Sequence, residues 1–366
     1  MAEGPPNKIP AMKGLVLSGG RGTRLRPITH TSAKQLVPVA NKPILFYVME
    51  NLAEAGIREV GVVVGDTAEE IRSACGDGST WGLQITYIPQ EAPLGLAHAV
   101  KIAEDFLDGE PFVMYLGDNL LPGGIRALVE EFAALAPQAM ILLTAVPDPE
   151  RFGVAVLAAD GAIESLEEKP AKPRSDLALV GVYLFSPEIF KAVHAIQPSA
   201  RGELEITDAI QWLIDSGAQV LPHVVRGWWK DTGKLEDMLE ANRIVLEGLE
   251  PRNDGTVDAE SRLVGRVVIE EGARVVRSVI EGPAIIGRGT LIEDSHIGPF
   301  TSIYFDCVVR KARVEHSIIL ENSALADIDA LVADSLVGKE VVVTRNTARK
   351  GAYRLMLGDH SRVEVT

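Results

Sequence analysis

Cysteine is nearly absent. Only Cys75 and Cys307 occur in 366 residues, far apart and outside any CxxC or Cys/His cluster, which leaves neither a disulfide framework nor a zinc site to read. Both are read as buried, inert thiols. No uninterrupted apolar run is long enough to span a bilayer, and the opening MAEGPPNKIPA lacks the apolar region of a secretory signal. The chain is therefore read as cytoplasmic, with no membrane partner and with residues 1–11 as a flexible extension ahead of Met12. A basic excess is missing too: 36 Lys and Arg stand against 51 Asp and Glu, a formal net charge of −15. A nucleic-acid surface, which needs basic patches that release counterions, is not expected. With no low-complexity tract, 46% hydrophobic and 24% charged residues, the composition is that of a folded protein whose length suggests two domains.

The informative stretch runs from Lys13 to Pro43, KGLVLSGGRGTRLRPITHTSAKQLVPVANKP. Gly14 to Leu17 suit a buried strand, and Gly19, Gly20 and Gly22 follow with no Cβ to keep a ligand from the backbone. Backbone N–H groups in such a turn can converge on anionic oxygens, with Arg24 adding a guanidinium fork and Lys34 a point charge. This is the grammar of a polyphosphate site. It is not a P-loop, which needs GKS or GKT where this chain has Gly22-Thr23-Arg24. Nor is it the dinucleotide fingerprint, which needs Gly or Ala where Leu25 stands.

The strings GGRGTRLRPIT and KQLVPVANKP resemble the signature of the sugar nucleotidyltransferases, most closely the glucose-1-phosphate thymidylyltransferases. The resemblance covers roughly residues 12 to 250, and the continuation is similar to the long form of that family.

Downstream, Ile44, Val48, Leu52 and Ala55 share a helical face closed by Gly56, and Glu59 to Val64 reads as a strand. A helix from Ala68, a strand near Gln84–Ile88, a helix over Gly95–Phe106 and the strand Phe112–Leu116 continue the alternation. The fold class expected is α/β: a Rossmann-like domain with a mostly parallel mixed sheet between helices. Ligands then sit beyond the carboxyl ends of the strands, which both the glycine loop and Asp118 should reach. Val154–Leu157, Ala162–Glu167 and Leu179–Phe185 read as shorter, antiparallel strands on the acceptor side. Helical patterns follow near Trp212 and over Lys234–Gly248, and Gly248–Gly255 reads as a linker. The domains are thus placed at 12–250, catalytic, and 251–366.

In the second, Ile285, Leu291, Ile297, Ile303 and Val309 recur every six residues. That period marks a hexapeptide-type left-handed parallel β-helix, here of about four coils. Similar β-helices carry acetyl transfer. His296 and His316 are the candidate bases here, and lone histidines without an acceptor pocket argue against that chemistry. The domain is read as driving assembly into a homo-oligomer.

What the family resemblance implies for the site is specific. The reaction is attack by glucose 1-phosphate on the α-phosphorus of dTTP, with Mg²⁺ as cofactor and dTDP-glucose and pyrophosphate as products. Asp118, in LGDN, and Asp231, in WWKDTG, match the two metal-binding aspartates. Arg24 and Lys34 match the residues holding the β- and γ-phosphates, and Lys169, in EEKP, matches the one at the sugar phosphate or α-phosphate. With Arg24 and Asp118, Leu17, Gly19, Gly20, Gly22, Thr23, Gln90, Pro93 and Gly95 form the nucleotide set, Gln90 reading the pyrimidine edge. Asn119, Gly153, Glu168 and Val180 join Lys169 in the sugar-phosphate set. Leu94 stands where the short form has an aspartate, which leaves UTP as the alternative nucleotide, and the short form's feedback site is not carried over. An alternative of another class is a non-catalytic nucleotide-sensing or assembly subunit. The retained cations for both leaving group and acceptor argue against it.

Overall fold

The computed structural model describes residues 11–20, 22–30, 32–121, 123–225, 229–345 and 354–364. By packing, the chain divides into two compact units, residues 1–21 with 44–231, and residues 22–43 with 232–366. The cut therefore falls inside the glycine-rich loop. It leaves Gly19 and Gly20 in the first unit and puts Gly22, Arg24 and Lys34 in the second, along with the stretch 248–255.

The first unit is built on a nine-stranded mixed sheet. Strands Gln84–Pro89, Glu59–Val64, Lys13–Ser18 and Phe112–Leu116 lie side by side in parallel. Their residues read as near-continuous apolar runs because both faces are covered, and Leu15, Val16, Val62, Val63 and Met114 are all fully buried. The long strand Leu177–Phe185 then runs antiparallel to Phe112–Leu116. It also pairs with Ala139–Ala145 and touches Gly153–Leu157, which forms an antiparallel pair with Ile163–Glu168. Its register against Ala139–Ala145 slips between Leu179 and Tyr183. At that irregularity Gly181 is packed so tightly that a Cβ would lie 2.6 Å from Leu116 and 2.9 Å from Asn119. The bend brings the antiparallel arm to the edge where the parallel strands end.

Most of the expected elements are present. The helix Ile44–Glu54 buries Ile44, Val48 and Leu52, and Gly56 takes the left-handed φ of 86° that stops it. The expected helix over Gly95–Phe106 is instead two, Leu96–Ile102 and Glu104–Leu107. The strands Ala139–Ala145 and Val220–Val224 and the helix Arg126–Leu135 have no counterpart in the sequence reading.

The second unit is a left-handed parallel β-helix with three sheets of six, six and five strands, so the expected four coils fall short. Successive coils are offset by 17 residues through the middle of the domain, as in Val267↔Ala284↔Thr301 and Val279↔His296↔Arg313, and by 16 or 18 towards its ends, as in Ser302↔Ile318 and Ile318↔Leu336. Three ladders fill the interior: Ile269, Ile286, Ile303 and Ile319; Val275, Ile292, Val309 and Leu325; Ile280, Ile297 and Val314. Of the five residues counted at six-residue spacing, Ile297, Ile303 and Val309 belong there. Ile285 and Leu291 do not: Ile286 and Ile292 take the inward positions. The reason is geometric, since three sides of six would make eighteen. In the 17-residue coils one side is a residue short, and a strict count of six slips to the other face of the strand.

Ile285 is nonetheless buried, on the outside of the coil, where Val268, Ala40 and Leu246 cover it. The helix Leu235–Glu247 and the hairpin of Pro38–Val39 with Lys42–Pro43 thus lie on one outer face of the β-helix.

Candidate active site

Three groups of the candidate residues come together in the first unit. One surrounds a small cleft lined by Gly19, Gly65, Asp66, Gln90, Glu91, Ala92 and Pro93. Gly19 and Gly65 approach so closely that a Cβ on Gly65 would lie 3.1 Å from the Gly19 carbonyl oxygen. The Gln90 amide donates to Nδ1 of His98 at 3.0 Å. Burial first, and Lys101 second, hold His98 below the ordinary histidine range, so its neutral ring accepts this bond and leaves the Gln90 carbonyl for a ligand. Gly95 is imposed by its backbone: φ is 103°, and a Cβ would meet the Leu204 carbonyl oxygen at 2.3 Å. Leu204 is held there by its N–H to the Leu94 carbonyl at 2.8 Å and by the Ala97 N–H to its own carbonyl at 3.0 Å. Leu17 contributes backbone, since its side chain is in the core and its carbonyl accepts the Gly117 N–H at 2.9 Å.

That bond ties the end of the first strand to the second group. Asp118 and Asn119 are buried, and the Asn119 amide donates to Asp118 Oδ1 at 3.2 Å. Asn119–Leu120 pairs antiparallel with Lys230–Asp231, so Asp231 stands opposite Asn119 and one position from Asp118. The side chain of Asp231 lies outside the described residues. Trp229 donates its indole N–H to Asn119 Oδ1 at 2.7 Å, fixing that amide's orientation. The hydroxyl of Ser18, at the end of the neighbouring strand, is buried with no hydrogen-bond partner among the described residues; no sequence motif pointed to it.

Glu168 and Lys169 anchor the third group. Lys169 has a left-handed φ of 44°, donates its N–H to the Phe152 carbonyl at 2.9 Å and brings Nζ within 3.5 Å of Glu168. Phe152 stacks edge-on against Trp229, with ring centroids 5.7 Å apart, linking this group to the second. Gly153 stands opposite Glu168 in the antiparallel register, and a Cβ there would lie 2.6 Å from Thr207 and 3.1 Å from the Glu168 carboxylate. Val180 is fully buried beside it in the sheet.

Sequence reasoning missed the polar support. Arg201 forks onto the buried Glu205 at 3.0 and 2.9 Å and lies 3.6 Å from Glu168. Ser199 donates to Glu205 at 2.7 Å. Burial dominates at Glu168 and raises its pKa; Lys169 and Arg201 oppose that shift and Glu205 adds to it. The string RGELEITD held the signal, an arginine four residues before a glutamate, but on a loop that spacing has no fixed meaning.

In the second unit the guanidinium of Arg24 covers Gly233, where a Cβ would lie 2.6 Å from Nη2. Gly22 takes a φ of 59°, Thr29 donates its hydroxyl to the Gly22 carbonyl at 2.6 Å, and Lys34 packs so close that a Gly22 Cβ would be 2.9 Å from its own. Thr23 and Arg24 are exposed and Lys34 half-buried. A larger concavity of about 520 Å³ lies outside the β-helix, lined in part by Arg277, His296, Lys311 and Arg313. Its charges are mostly engaged: Arg277 binds Asp294 and Glu293, and His296 lies 3.4 Å from Glu281. His316 is likewise held by Asp334.

A sheet whose parallel strands end at a glycine turn, a buried aspartate and a small cleft lined by glycines and a glutamine is an architecture suited to an enzyme that handles nucleotides. The chain belongs to the nucleotidyl transferase family, whose model matches residues 13–248. It is 58% identical, over 97% of its length and all of the relative's, to the glucose-1-phosphate thymidylyltransferase of Streptomyces griseus. Identity is 46% over the same share to the low-salt glycan biosynthesis nucleotidyltransferase of Haloferax volcanii. A solved Bacillus anthracis chain named for the thymidylyltransferase activity superposes with a TM-score of 0.61 at 38% identity, covering 64% of this chain and 95% of that one.

Proposed function

We propose that the protein is a cytoplasmic glucose-1-phosphate thymidylyltransferase that converts dTTP and glucose 1-phosphate to dTDP-glucose and pyrophosphate. The observation that carries this reading is the contact chain Lys169–Phe152–Trp229–Asn119–Asp118. It joins the acceptor group to the metal group within the first unit. The chemistry needs charge rather than a covalent intermediate, because two anions must meet and a pyrophosphate must leave.

The donor set fits Mg²⁺. Asp118 is a buried hard-oxygen ligand, and the antiparallel pair 119–120/230–231 brings the Asp231 backbone beside it. Bound there, Mg²⁺ would supply charge neutralisation at the reacting phosphates. Gln90, oriented by His98, reads the base edge, and its carbonyl and amide can meet a pyrimidine's donor and acceptor. Gly95 and Pro93 wall the base. Glu168 accepts sugar hydroxyls, and Gly153, by lacking a Cβ, leaves the carboxylate open to them. Lys169 holds the sugar phosphate in line, and Arg24 and Lys34 take the β- and γ-phosphates as they depart.

Pyrophosphate release across a matrix of nucleoside triphosphates and sugar 1-phosphates tests the whole reading. dTTP with glucose 1-phosphate should give the highest kcat/KM. UTP should follow, since one methyl contact discriminates by only about 10 to 200-fold. No release with any pair would sink the assignment. We further propose that the protein works as a homo-oligomer, for which sedimentation is the check.

A further inference from the structure

The segment that carries Arg24 and Lys34 is folded onto the β-helix, and one side chain holds the junction. Asn242, fully buried on the helix Leu235–Glu247, accepts the Ala40 N–H at 2.9 Å and the Ser302 hydroxyl at 2.6 Å and donates to the Phe300 carbonyl at 3.1 Å. Ala40 and Asn41 form the two-residue turn between the paired strands Pro38–Val39 and Lys42–Pro43, with φ of 47° and 59°. Both left-handed positions favour Asn or Gly. An alanine there is strained and persists only where its surroundings over-determine it. Here they do. Its methyl sits among Leu246, Val268 and Ile285, and the next residue donates its side-chain amide to the Ile303 carbonyl at 2.9 Å. At the other end of the segment Ile28 lies against Gly338 of the last coils, 3.2 Å from where a Cβ would be.

We infer that Asn242 is a positioning residue for the reaction: through Ala40 it registers the segment 22–43 on the β-helix and so places Arg24 and Lys34. The β-helix is then part of the machinery for the departing pyrophosphate and not only an assembly module. This rests on the role given above to Arg24 and Lys34. A buried amide with three bonds suits the task, because removing it strands two donors and an acceptor at once, and no neighbour can replace both functions.

The test uses full-length Asn242→Ala, Arg24→Ala and the double variant, with near-ultraviolet circular dichroism as the check on folding. Asn242→Ala should lower kcat for pyrophosphate release by about 10²-fold, with the KM for glucose 1-phosphate little changed. Introduced into Arg24→Ala it should add only a small further loss, since both substitutions remove the same interaction. A folded Asn242→Ala with unaltered kcat, or one whose loss multiplies in full with that of Arg24→Ala, overturns the inference. If Asn242→Ala does not fold, Asn41→Ala, which removes the side-chain bond to the Ile303 carbonyl, must show the same non-additivity or the inference fails. Unaltered release by Arg24→Ala would overturn the functional reading itself, and this inference with it.

Discussion

Asp231 stands opposite Asn119 in a two-residue antiparallel pair, one position from the buried Asp118. Residues separated by more than a hundred positions of chain thus become backbone neighbours at a strand end, a natural place for two carboxylates to share a divalent cation. Asp231→Asn keeps the size and the backbone pairing but removes a charge. The expected result is a kcat for pyrophosphate release lower by roughly 10²-fold or more, with nucleotide binding by calorimetry partly retained. Unchanged turnover across a Mg²⁺ titration would count against the metal pair.

Lys169 has its main chain fixed by the Phe152 carbonyl, so its side chain can be removed without unmaking the turn. Lys169→Ala should slow turnover roughly 10²-fold while the thermal midpoint moves little. A loss of KM alone, with kcat intact, would make Lys169 a binding residue and not a transition-state one.

Glu168 offers a prediction in pH. Burial, its largest influence, raises its pKa, so the folded chain keeps this proton to a higher pH than the unfolded chain does. The group's contribution is fully present below the ordinary glutamate range and is lost as pH rises through the raised value. Glu168→Gln has no charge to bury. Its thermal midpoint relative to the parent should therefore be more favourable at about pH 8 than at about pH 5, while the KM for glucose 1-phosphate rises. The opposite ordering of midpoints would show that Lys169 and Arg201 outweigh burial.

The shortened side of the β-helix can be tested at two adjacent residues. Ile292 is fully buried within the coil and Leu291 half-buried outside it. Ile292→Ala should cost about 2 to 5 kcal/mol in urea unfolding and Leu291→Ala clearly less. Equal costs would mean the inward ladder has been misassigned.

The sequence determined much by itself. Apolar runs broken by glycine specify the parallel strands and their order of alternation, because backbone hydrogen bonding and burial act locally and leave a legible period. The motifs marked the residues proposed for phosphate, metal and acceptor, with Asp118 and Lys169 just after strands. Tertiary structure alone decided how those residues are supported. The fork of Arg201 on Glu205, the indole of Trp229 on Asn119 and the amide of Asn242 beneath Ala40 are contacts between segments remote in the chain, and no local period encodes them. It decided the β-helix register too, since coils of 16 to 18 residues keep one register only when each strand sits on the one before. By packing, the segment with Arg24 and Lys34 groups with the β-helix, where the turn at Ala40 lies against Leu246, Val268 and Ile285.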